Sequence, residues 1–158
     1  MKKGFLALTG AVVGAAAGAV AVNKLQGQVV DAKDAKIDKF KGYYNMLNQW
    51  LILKQEGESL EKYFTDNNYK TIAIYGMGEM GNRLYDELKN TDIEIKYAVD
   101  QNAAGTYSEL EVLEKEDDFA EVDVIVVTAT FAFDEIEEEL SEKVDFPIVS
   151  LEDVVYEV

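Results

Sequence analysis

The sequence predicts an α/β domain built on a small parallel sheet, carried behind a hydrophobic helix and an amphipathic helix. Three observations predict it. A compact apolar run, "TIAIY" (71–75), leads into the glycine turn "GMGEMG" (76–81) and then into "NRLYDELKN", whose Leu84 and Leu88 share one helical face. A second strand pattern, "IEIKYAVD" (93–100), ends in Asp100 at about the 20-residue separation that a strand, turn, helix and strand unit produces. A third run, "VDVIVVTA" (122–129), is almost uninterrupted in its apolar character, as a parallel strand covered on both faces must be. Strand, turn, helix and strand in this order make a small Rossmann-like parallel sheet the expected core.

Length allows one such domain with appendages. The chain has 158 residues, which divide by pattern into a Gly/Ala-rich segment (1–27), a helical linker (28–68) and the α/β domain (69–158). Net charge is −16 but uneven: residues 59–158 hold 7 Lys or Arg against 26 acids, whereas residues 1–58 hold 8 Lys against 5 acids. So acidic a domain repels nucleic acid, and none is expected as a partner. Cysteine and histidine are absent, which removes thiol nucleophiles, disulfides, imidazole bases and the usual zinc ligands, so no metal is expected. Proton transfer is left to Asp, Glu, Lys and Tyr.

Residues 4–22, "GFLALTGAVVGAAAGAVAV", are uncharged and mostly apolar, long enough at 1.5 Å per residue to cross about 30 Å of hydrocarbon. A single-pass membrane anchor is the expectation, with a signal peptide ending near "AVA" (19–21) and an Ala-rich helix within a protein assembly as alternatives. Gly10, Gly14 and Gly18 recur every four residues and form a glycine-zipper face that a second helix can approach. The lysines that follow, from Lys24 to Lys41, outnumber Lys2 and Lys3 ahead of it and point to a cytoplasmic C-terminal domain. Residues 29–55 read as one helix, because Val30, Ile37, Phe40, Tyr44, Leu47 and Leu51 keep helical spacings, with Lys33 interrupting the heptad and Tyr43 and Trp50 flanking the seam. That stripe, residues 30–51, is read either as a homodimer or partner-protein surface or as packing against the following domain. Gly57 ends the helix, and Ser59 is placed to cap a short helix, "LEKYFTDN".

In the domain, four main strands (71–75, 93–100, 122–129 and 146–150) are expected in the order second, first, third, fourth, with at most a short strand in "TYSELEVLEKEDDF". Each glycine of the turn has an expected task. Gly76 permits the tight exit from the strand, Gly78 lets backbone amides approach a pyrophosphate, and Gly81 lets the helix pack closely on the strand. Met77, Glu79 and Met80 complete the candidate cofactor-binding turn, Asp100 is placed to accept from ribose hydroxyls, and Thr128 and Thr130 border the same crevice. Glu79 suits the positive helix terminus but repels phosphate if it points inward. Arg83 is expected to pair on the surface with Asp86 or Glu87.

The segments "IAIYGMGEMGNRLYDEL", "IKYAVDQN" and "VDVIVVTATFAFDEIEEEL" resemble the Rossmann-like nucleotide-binding domains of bacterial surface-polysaccharide biosynthesis proteins, including membrane-anchored nucleoside-diphosphate-sugar epimerases and dehydratases. The resemblance spans about residues 70–155 and implies that Gly76, Gly78, Gly81 and Asp100 occupy nucleotide-binding positions. The sugar-converting members carry a further domain with a Tyr-x-x-x-Lys pair. Tyr85 and Lys89 have that spacing, but on the helix directly after the turn, where packing and surface roles are expected. The leading expectation is therefore a membrane-tethered, non-catalytic module that binds NAD(P) or a nucleotide-sugar. A nicotinamide-dependent nucleotide-sugar subunit completed by another chain, and an oligomeric scaffold with an empty crevice, stand as alternatives.

Overall fold

A computed structural model of the chain describes residue 33 and residues 36–106 and 108–158. The predicted anchor at 4–22, its glycine face, the site at 19–21, Val30 and Tyr107 lie outside the described residues. Among the described residues no helix is long and apolar enough to cross a membrane. From Tyr44 onward the chain forms one compact unit.

Helix α1 covers residues 36–56 and stops at Gly57, whose φ of +83° is a left-handed conformation that glycine adopts without cost. In its second half Met46, Trp50 and Leu53 are buried, a 4-3 spacing that forms one face. The stripe at 37, 40, 44, 47 and 51 is not that face, and all five residues are exposed. Helix α2 (Glu61–Asp66) follows, with Leu60 rather than Ser59 at its cap position. Ser59 still serves the helix start, because its hydroxyl accepts from the Glu61 amide at 3.3 Å.

The core is an α/β arrangement on a five-stranded, all-parallel sheet, consistent with the Rossmann-like expectation. Its elements are β1 (Thr71–Tyr75), α3 (Glu79–Leu88), β2 (Glu94–Val99), β3 (Val112–Leu113), β4 (Val124–Val127), α4 (Phe133–Ser141), β5 (Ile148–Ser150) and α5 (Leu151–Tyr156). The strand order is β3-β2-β1-β4-β5. It contains the expected order of the four main strands and adds the two-residue β3 at the edge. Every residue of β4 is buried, as its continuous apolar run requires. Leu84 and Leu88 are fully buried on α3, and Ile136 and Leu140 are buried on α4. Four-residue spacing on each helix gives it one apolar face toward the sheet.

Two carboxylates fasten neighbouring elements away from the glycine turn, one at strand ends and one between helices. Asp123 accepts from the amides of Lys70 and Thr71 at 2.7 and 2.8 Å and from the Thr71 hydroxyl at 3.0 Å, which ties the start of β1 to the approach of β4. Glu87 accepts from Lys54 Nζ at 2.8 Å, Ser59 Oγ at 3.1 Å and the Leu60 amide at 3.3 Å, and so links the end of α1 to α3. The amide donors hold the Asp123 carboxyl below its ordinary 3.8, so its contribution to stability is complete above that value and is lost as pH falls through the lowered one. Asp123→Asn should therefore lower the melting temperature at pH 6 to 7, by about 1 kcal/mol of stability for the weakened bonds. The difference from wild type should close as pH falls below 3.8, and thermal melts across a pH series would measure it.

Candidate functional site

The carboxyl ends of β1, β2 and β4 meet at the glycine turn. Chain direction across the sheet reverses between β1 and β4, the switch point at which open parallel sheets leave a crevice. Gly76 exits β1 with φ +96°, and a Cβ there would lie 2.8 Å from Thr128 Oγ1. Its amide donates to Val99 O at 2.7 Å, and its carbonyl accepts from the Thr128 hydroxyl at 2.6 Å. A Cβ on Gly81 would collide with that same carbonyl, so α3 reaches β1 only because residue 81 is glycine. Gly78 differs from both. Its backbone is extended (φ −71°, ψ −159°), and an added Cβ would meet nothing within 4 Å.

Side chains tie the rest of the turn. Asp100 accepts from the Met77 amide at 2.7 Å through one carboxylate oxygen and from the Asn102 amide at 2.9 Å through the other. Asn82 Nδ2 donates to the carbonyls of Met77 and Gly78 at 3.0 and 2.9 Å. Carbonyls are thus turned away into protein contacts. The first-turn amides of α3, from Glu79 onward, have no acceptor within the helix by geometry, and this end of the helix carries partial positive charge.

A cleft of about 350 Å³ opens beside the turn on the α4 side, lined among others by Tyr75, Gly76, Asp100, Gln101, Glu135 and Glu139. That volume is at the small end of ligand pockets. Phe131, 55 % exposed, stands at its rim. Burial first, and Glu139 next, push the Tyr75 phenol up, so Tyr75 faces the cleft as a protonated hydroxyl rather than as a base.

The candidate residues from the sequence divide accordingly. Gly76 and Asp100 line the cleft; Met77 is buried, with its amide on Asp100; Gly78 and Glu79 are exposed at the mouth of the turn; Met80 is half-buried; and Gly81 lies buried beneath. Thr128 is buried and acts on the Gly76 carbonyl, while Thr130 begins a short 3-10 turn and is half-buried. Tyr75, Gln101, Phe131, Asn82, Glu135 and Glu139 were not legible as site residues. Only the i, i+4 spacing of Glu135 and Glu139 hinted that they share a face. Tyr85 donates to Glu109 at 2.9 Å and Lys89 pairs with Asp86 at 2.8 Å, so the Tyr-x-x-x-Lys spacing is spent on surface contacts. Arg83 also pairs with Asp86, at 3.6 Å.

A parallel α/β protein with a braced glycine turn at its switch point is the class these features define. The chain belongs to the C2185-like, N-terminal family, whose profile matches residues 67–147, from just before β1 to just before β5. No curated protein and no solved structure matches it.

The three glycines should separate in a stability experiment. Gly81→Ala should cost about 3 kcal/mol or more, because backbone rather than a flexible side chain must give way, and Gly76→Ala should cost about 1–3 kcal/mol for its strained φ. Gly78→Ala should stay within about 0.5 kcal/mol of wild type. Chemical denaturation of the three variants checks the order.

Proposed function

We infer that the chain is a membrane-tethered, non-catalytic Rossmann-like module that binds a nucleotide or nucleotide-sugar, with a phosphate group on the α3 amides and the remainder in the cleft toward α4. One observation carries the reading: of the three glycines in the turn, Gly78 is the one whose added Cβ would meet nothing within 4 Å. Gly76 and Gly81 are accounted for by folding, whereas the open space over Gly78 lies at a helix N-terminus, where an anion gains most from the backbone. The cleft supports the other half of the ligand, since Asp100, Glu135, Glu139 and Gln101 offer acceptors for hydroxyl groups and Phe131 offers an aromatic face. The tether rests on the apolar run at 4–22.

Tyr75 is held protonated and Asp100 is committed to two loop amides, and this favours binding over turnover. Carboxylates beside the turn disfavour a further phosphate beyond the pyrophosphate, such as the ribose 2′-phosphate of NADP. NAD or a nucleoside-diphosphate sugar should therefore bind at least about tenfold more tightly than NADP, or about 1.4 kcal/mol.

Calorimetric titration of the full chain with NAD, NADP and nucleoside-diphosphate sugars tests the reading. Gly78→Val should abolish saturable binding with an unchanged circular dichroism spectrum and a fold still stable at the assay temperature, because the branched side chain fills the open space above the amides. Absence of heat with every ligand, together with no co-purifying nucleotide in native mass spectrometry, would reduce the turn to a device that packs a helix on a strand.

A further inference from the structure

Helix α1 carries two apolar stripes. The compact unit uses one of them, Met46, Trp50 and Leu53. In the other, Tyr44, Leu47 and Leu51 are exposed, and Ile37 and Phe40, which continue the register toward the N-terminus, are exposed as well, the five ranging from 38% to 70%. Five large apolar side chains in solvent need a cover. Steps of three and four alternate from Ile37 to Leu51, the a and d spacing with which one helix seats along another. The seam stops where it should, because the next position in register is Lys54, which is turned aside onto Glu87 at 2.8 Å.

We propose that this face is covered by the same face of a second copy of the chain, with the two α1 helices antiparallel. Charge selects the occupant and its direction. The first half of the helix carries Lys36, Lys39 and Lys41 against Asp38, while the other end leads through Glu56 and Glu58 into a domain with 26 acids against 7 Lys or Arg. A parallel pair sets Lys36 opposite Lys41 of the other copy across the flanking positions and brings two acidic domains together. An antiparallel pair places Phe40 against Leu51 and Tyr44 against Leu47, each layer formed twice. It also lays the basic half of each helix beside the acidic end of the other and holds the domains apart.

The chain has no cysteine, so introduced thiols report alone. In cells co-expressing full-length Phe40→Cys and Leu51→Cys chains with distinguishable tags, oxidation should join one variant to the other. Copies of Ile37→Cys should not join each other, because antiparallel packing sets them ~25 Å apart along the axis. The purified full chain should sediment as a dimer, and Tyr44→Glu with Leu47→Glu should weaken association at least tenfold while leaving the circular dichroism spectrum unchanged. Cross-linking between Ile37→Cys copies without the mixed product overturns the antiparallel seam. A monomeric wild type, or a dimer indifferent to the double substitution, overturns the proposal entirely. So does a monomer whose flotation with anionic lipid vesicles is lost on that substitution, since the face would then lie on a membrane.

Discussion

The carbonyl of Gly76 is the point on which the arrangement depends. It takes the Thr128 hydroxyl at 2.6 Å from β4, and Gly81 of α3 comes so close that any side chain there would collide with it. On the other side of the same residue, the Gly76 amide is held by Val99 at the end of β2. One residue therefore sets the spacing of three strand ends and the seat of α3. A positive φ relates its two peptide planes, which is why residue 76 must be glycine.

Bracing of this kind decides what the turn can do. Asn82 binds two carbonyls of the loop and Asp100 binds the Met77 amide, so the loop has few conformations left to lose on meeting a ligand. The cost falls on the number of donors. With Met77 engaged by an internal carboxylate, a docking anion is limited to the amides that follow it. Asp100 accepts from two backbone amides, one on each oxygen, yet each oxygen keeps a lone pair, so bracing the loop and accepting a hydroxyl hydrogen are compatible tasks.

The sheet was legible because its signals are local and redundant. "TIAIY", "VDVIVVTA" and the glycine turn each specify their element by period and turn chemistry, and the strand order follows from connection rules. The two-residue β3 was not legible beyond a possible short strand, since Val112 and Leu113 are too few to set a period. In α1 the stripe at 37–51 is the more regular pattern, but Met46, Trp50 and Leu53 are the buried face. Periodicity shows that a face is apolar and does not say whether the chain's own domain covers it. The α4 side of the site was hidden for a related reason: Glu135 and Glu139 belong to an acidic helix that reads as solvated, and only the packing of Ile136 and Leu140 on the sheet turns them toward Gly76.

Glycines 76, 78 and 81 look alike in sequence and answer to different physical causes. The first is fixed by backbone conformation and the third by the approach of a helix to a strand, and both would be needed in a protein that bound nothing. The motif as a whole is therefore weak grounds for a ligand, because two of its three glycines carry a folding explanation. Gly78 is different: it caps α3 in extended backbone, and the space over it is open. Glycine there leaves the first-turn amides uncovered, and the helix dipole at the same place favours groups that carry negative charge.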